Sequence, residues 1–134
     1  MTDPRKQVVS GPGVPPVIGP YSAGVRAGEL LFVSGQAGMD PITGALGDGF
    51  VEQATQALRN LQAVLEAGGS RLDLVVNATV LLADFGVFAE LNQVFAEFFS
   101  SDPPARMTMA TPLPGTVLIS IGCVALVADE REAS

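Results

Sequence analysis

The sequence predicts an α+β domain in which two helices cover one face of a mixed β-sheet. Three observations predict it. Residues 50–67 carry Phe50, Ala54, Ala57, Leu58, Leu61, Val64 and Leu65 at three- and four-residue spacing, the stripe of an amphipathic helix. Residues 86–99 repeat the pattern with Phe88, Leu91, Phe95, Phe98 and Phe99 on one side. Short β-branched, apolar runs bounded by glycine or proline lie before, between and after these stripes, so strands alternate with helices along one chain.

In chain order, residues 1–16 are expected to be a flexible N-terminal arm of a single domain spanning 1–134. Residues 11–20 hold four prolines and three glycines, too many for a regular element. Leu-Leu-Phe-Val at 30–33 is a strand, bounded by Gly28 and Gly35 and belonging to an opening hairpin, and residues 37–49 form a loop. The first helix stops at Gly68-Gly69. Residues 74–82 are rich in β-branched side chains and read as a strand. Asp84 lies where its charge suits the start of the second helix, which Asp102-Pro-Pro closes. Residues 105–111 and 116–127 are the last two strands, joined by a turn at Pro112-Leu-Pro-Gly115.

Alternation along 116–127 places Val117, Ile119, Ile121, Cys123, Ala125 and Val127 on one face, and Leu118, Ser120, Gly122, Val124 and Leu126 on the other. Both faces are mostly apolar. Two helices cover one side of a sheet, so the other calls for a partner, and a second copy of the chain is the economical one.

Composition excludes several chemistries. The chain has 134 residues, 48% of them hydrophobic, enough for one core and too few for a second domain. Seven basic against fourteen acidic residues give a net charge of −7, which repels a phosphate backbone and argues against a nucleic-acid partner. There is no histidine and only one cysteine, so His-dependent triads, Cys-His pairs, disulfides and His or thiolate zinc sites are all removed. The N-terminus lacks a signal-peptide core, and the apolar run at 117–128 is interrupted by Ser120 and Gly122. A soluble, cytoplasmic protein without membrane contact, metal or cofactor is expected.

Arg106 is the most informative candidate, the only cation between Arg71 and Arg131, placed in an expected strand. It can pair with a carboxylate such as Asp102, snorkel from an edge, or clamp the carboxylate of a small-molecule substrate through its planar fork. Thr108 shares its face by alternation. Tyr21 follows Gly19-Pro20, a turn that can present the ring rigidly or leave it packed with its hydroxyl at the surface. Asn92 falls on the second helix, and Ser34 and Gln36 close the first recognised strand. Cys123, among Ile, Gly and Val, reads as a small buried filler. No paired carboxylates converge, and Gly11-Pro-Gly13 is followed by prolines where a dinucleotide fingerprint would open a helix.

Gly19-Pro-Tyr-Ser22, Leu31-Phe-Val-Ser-Gly-Gln36, Asp40-Pro-Ile-Thr-Gly44, Glu52-Gln-Ala-Thr-Gln56 with Asn60-Leu61, residues 88–92, and Pro103-Pro-Ala-Arg106 with Leu113-Pro114 together resemble the RidA (YjgF/YER057c/UK114) family. The resemblance spans residues 17–127 and implies a chorismate-mutase-like fold with a mixed six-stranded sheet, assembled as a homotrimer with clefts between subunits. It implies cofactor-independent hydrolysis of enamines and imines to 2-oxo acids and ammonia. Other members are described as ribonucleases, which the acidity of this chain disfavours. By the same resemblance Arg106 matches the arginine that binds the substrate carboxylate. Tyr21, Ser34 and Asn92 match cleft positions, and Thr108 stands where many members carry a cysteine whose backbone meets the substrate nitrogen.

The chain departs from the family at its end. Aligned from Leu113-Pro114, Ser120 occupies the place of a glutamate held to position or activate water, and Gly122 that of a second glutamate. The segment from Arg106 to Leu113 is also one residue shorter. A serine can hold water but cannot take its proton at neutral pH, so hydrolysis is expected to be slower by ~10²–10⁴-fold. A non-hydrolytic carboxylate-binding protein, or a pathway-specific enzyme acting on a related intermediate, is the alternative. The smaller side chains leave volume for a larger ligand.

Overall fold

The computed structural model describes residues 3–129. Six strands, β1 (Lys6–Val8), β2 (Gly24–Ala27), β3 (Leu30–Ala37), β4 (Val75–Leu82), β5 (Ala105–Ala110) and β6 (Ile119–Leu126), form one sheet in the order β1-β2-β3-β6-β4-β5. Only β4 and β5 run parallel, joined through the second helix; every other pair is antiparallel. Helices α1 (Phe50–Ala67) and α2 (Phe88–Phe98) are the two that the apolar spacing predicts, and both lie on one side of the sheet.

The core fills the space between helices and sheet. Leu58, Leu61 and Leu65 of α1 and Leu91 of α2 meet Leu31, Val80, Leu82, Ile119 and Ile121, all fully buried. Helix α1 ends as its sequence asks. Gly69 takes a positive φ of 83°, and the Ser70 amide donates to the Leu65 carbonyl at 2.8 Å. The Ser70 hydroxyl then donates to the carbonyl of Leu126 at 2.6 Å, tying the end of α1 to the end of β6.

Four boundaries differ from the sequence reading by two residues or more, each for an identifiable reason. Residues 6–8, placed in the N-terminal arm, form edge strand β1, because Lys6, Gln7 and Val8 pair with Ala27, Arg26 and Val25 and the next residue, Val9, is buried. Strand β3 runs on to Ala37 through a register shift between Val33 and Gln36, a bulge that leaves Ser34 and Gly35 outside the regular ladder. Helix α2 begins at Phe88, because Asp84 accepts from the Gly86 amide at 2.7 Å and tightens residues 85–87 into a 3₁₀ turn. The last strand starts at Ile119, three residues late, because the Gln53 side chain takes the Leu118 amide and the Thr116 carbonyl that a ladder would have used.

The two apolar faces of β6 have different fates. Ile119, Ile121, Cys123 and Ala125 are buried beneath the helices, while Ser120, Gly122, Val124 and Leu126 look to the other side. On that open side Phe32 is 45% exposed and Met107 58%, with Leu30, Met109 and Leu126 also uncovered. A row of exposed large apolar side chains on one sheet face is the feature that marks an association surface.

Candidate functional site

Arg106 lies on β5, which has a neighbour on one side only. In register with Ala78 and Val80, which are buried, Arg106 and Thr108 point to the helix side, whereas Ala105, Met107 and Met109 are exposed. The guanidinium is held there by α2. Its Nη2 donates to Asn92 Oδ1 at 2.8 Å, and Cζ stands 4.8 Å from the Phe95 ring centroid and 5.5 Å from that of Phe88. Two aromatic faces and one neutral amide orient the cation without neutralising it.

No carboxylate pairs with it. Among the described residues Arg106 makes no ion pair, so its pairing with Asp102 is excluded. Partial burial pulls its pKa below the ordinary arginine value, and a guanidinium remains charged at any physiological pH. Of its five N–H donors one is committed to Asn92, which leaves a fork free for an external anion. Because β5 is an edge strand, backbone groups on its outer side also lack a partner in the ladder.

Tyr21 and Ser120 belong to a different place, the lining of a hollow of about 420 Å³ walled by residues 15–18, the loop after β3, and residues 113–117. The turn at Gly19-Pro20 sets the ring: the Tyr21 amide donates to the Gly19 carbonyl at 2.8 Å, and a Cβ at Gly19 would come within 3.1 Å of the ring. Ser120 pairs in register with Ala37 and Leu81 and projects to the open side. Gly35 makes room for it, since a Cβ there would lie 2.6 Å from Ser120 Oγ. Ser34 lies outside this lining. Its hydroxyl donates to the Ser22 carbonyl at 2.6 Å, so it is spent on holding the turn that precedes β2.

Five of the six candidates therefore form two groups, with Ser34 in neither. Arg106, Thr108 and Asn92 gather on the helix side at the β5 edge; Tyr21 and Ser120 line a hollow reached from the opposite face of the sheet. Two residues that the sequence reading quoted in a motif without giving them a role hold the segments around the hollow, and of the two Asn60 belongs to its lining. From α1, Asn60 Nδ2 donates to the carbonyls of Ala37 and Met39 at 3.1 and 2.8 Å. Gln53 Nε2 donates to the carbonyls of Gly47 and Thr116 at 3.2 and 3.1 Å, while its Oε1 accepts from the Leu118 amide at 2.9 Å. Their signals were two polar residues on the otherwise apolar buried face of α1 and their place in the Glu52-Gln-Ala-Thr-Gln56 and Asn60-Leu61 motifs.

The family model described as endoribonuclease L-PSP matches residues 13–127. A RutC family protein of Pyrococcus horikoshii is 42% identical over 122 residues, covering 90% of this chain and 97% of the relative. A protein of Capra hircus named 2-iminobutanoate/2-iminopropanoate deaminase is 42% identical, covering 85% of this chain and 86% of its own. The chain belongs to the RidA family. The crystal structure of RidA from an Antarctic Psychrobacter superposes with a TM-score of 0.87 at 36% identity, covering 90% of this chain and 99% of that one.

As a RidA-family chain its mixed six-stranded sheet with two helices on one face is the fold the resemblance implied. Among the described residues no helix is long and apolar enough to cross a membrane, and no three His, Cys, Asp or Glu side chains gather as a metal-ligand set.

Proposed function

We propose that this RidA-family chain binds a small carboxylate-bearing imine or its enamine tautomer and hydrolyses it to a 2-oxo acid and ammonia. The observation that carries the reading is Arg106, a partly buried guanidinium oriented by Asn92 and two rings with no carboxylate of its own. The relative named 2-iminobutanoate/2-iminopropanoate deaminase supports the same chemistry.

Arg106 and Ser120 lie on opposite sides of one sheet, so the two groups of residues serve one substrate only if they come from different copies. The uncovered apolar face offers the contact that would bring copies together, and a closed homotrimer with one site per interface satisfies both demands. In that site the Arg106 fork holds the substrate carboxylate, and an outer backbone carbonyl of β5 near Thr108 accepts from the imine N–H. Water held by the Ser120 hydroxyl adds to the C=N carbon. One of its protons passes to nitrogen to give the carbinolamine; the hydroxyl proton then follows to nitrogen, the C–N bond breaks, and ammonia leaves with the electron pair of that bond as C=O forms. No oxidation occurs and no cofactor is required.

A carboxylate-binding protein without hydrolysis is the second reading, favoured by one observation, the hydroxyl at position 120 where a base would serve. The test is release of ammonia and 2-oxo acid from imines made in situ by an amino-acid oxidase, with sedimentation velocity at micromolar chain. Acceleration that disappears in Arg106→Ala, with a trimer in solution, is the expected result. No acceleration, with a carboxylate still bound, establishes the second reading; cleavage of RNA that weakens with salt would support a nuclease instead, against the −7 charge.

A further inference from the structure

We infer that the side chain of the substrate is a bulky hydrocarbon, and that the hollow beside Ser120 is where it lodges; this rests on the imine-binding reading above. The hollow measures about 420 Å³, far more than water and a methyl group occupy. Its lining is chiefly apolar: Val17, Met39, Leu113 and Val117 form the walls, and Ile18 and Ile42 stand at the mouth.

The polar groups in the lining are largely committed to the walls. Asn60 is tied to the carbonyls of Ala37 and Met39. Asp40 Oδ1 accepts from the amides of Ile42 and Thr43 at 2.8 and 3.0 Å, closing its own turn. Ser120 Oγ has no hydrogen bond among the described residues and the Tyr21 hydroxyl only a 3.5 Å contact from the Ile18 amide, which leaves two hydroxyls in a chiefly apolar lining. A substrate side chain carrying a charge or an amide would lose its water there without a replacement, while an aliphatic or thioether chain gains by leaving water.

Ile18 and Ile42 are 77% and 92% exposed in the single chain, so nothing within the chain uses them. At the mouth of a composite site they extend the apolar wall toward the carboxylate clamp of the neighbouring copy. The alanine-derived imine has only a methyl to offer this surface. The leucine- and methionine-derived imines each have four heavy atoms beyond the α-carbon.

The experiment is a substrate ladder. Imino acids are generated in situ from alanine, 2-aminobutyrate, leucine, methionine and glutamate, and the enzyme competes with semicarbazide for each. Expected is a kcat/KM for the leucine- and methionine-derived imines at least ~10-fold above that for alanine, with glutamate poorest, in keeping with the discrimination an apolar pocket provides per methylene. Ile42→Ser, at an exposed position that leaves the fold intact, should lower the long-chain values selectively. Equal or better turnover of the alanine-derived imine overturns the inference and leaves the deaminase reading standing. If no imine is accelerated, calorimetric titration with pyruvate and 4-methyl-2-oxopentanoate separates the two claims. Tighter binding of the branched acid keeps the hollow's preference while hydrolysis falls; equal or absent binding removes both.

Discussion

Asn92 Oδ1 accepts a 2.8 Å hydrogen bond from Arg106 Nη2, joining helix α2 to the edge strand that follows it. The partner is neutral, so it fixes the direction of the guanidinium without consuming its charge. A carboxylate at position 92 would have done the first and defeated the second.

Removing either member should have separable effects. Arg106→Ala should eliminate acceleration, and Arg106→Lys should recover little, because an ammonium lacks the planar fork and the stacking on Phe88 and Phe95. Asn92→Ala should raise KM about 10-fold with a smaller change in kcat, the loss of one hydrogen bond to a charged group. Steady-state kinetics on an oxidase-generated imine measure the split.

Ser120→Glu should increase deamination by ~10²–10⁴-fold by supplying a general base. The introduced carboxylate works only when ionised, so the gain should vanish as pH falls through the glutamate range near ~4.3 and hold above it. A pH–rate profile of the variant against the parent protein checks both magnitude and sign. Gly35 is the limit on this change, since its missing Cβ is what leaves space at residue 120.

Gln53→Ala should destabilise the fold by about 2 kcal/mol or more, because one buried amide serves the carbonyls of Gly47 and Thr116 and the amide of Leu118. Urea titration reads the stability. A rise in KM well below the denaturation midpoint would report loosened walls of the hollow, which both of the segments it ties help to form.

Burial pushes the Cys123 thiol up to about 12, so at pH 8 it is almost entirely protonated and should resist thiol reagents until the chain unfolds. The linkage has a definite sign. Below the ordinary thiol range near 8.5, folded and unfolded chains hold the same proton and this group leaves stability unchanged. As pH rises past that range the unfolded chain loses its proton first, and stability declines until the folded thiol itself ionises near 12. Cys123→Ala should flatten that part of the stability curve, measured by urea melts from pH 7 to 10.

Much of the fold was legible because its signals are local. The stripe from Phe50 to Leu65 is a helix by its own spacing, and α1 begins and ends where Phe50 and Gly68 indicate. Alternation in β6 assigned its faces correctly, with Ile119, Ile121, Cys123 and Ala125 inside. Arg106 stood out because it is a lone cation in an apolar strand. Where reading failed, a distant residue intervened. Gln53 delays β6 from 65 positions away, and Lys6–Val8 is a strand only because β2 offers it an edge.

Sequence by itself determined the two helices and the main strands, the apolar stripes, the absence of histidine and the identity of the cation. Tertiary structure decided that Arg106 and Ser120 face opposite sides of one sheet, that Asn92 orients the guanidinium, and that Gln53 and Asn60 hold the hollow open. The physical reason is range. Side-chain direction within a strand follows from a two-residue period, but which side of the sheet it joins depends on register with strands far along the chain, and only folding sets that register.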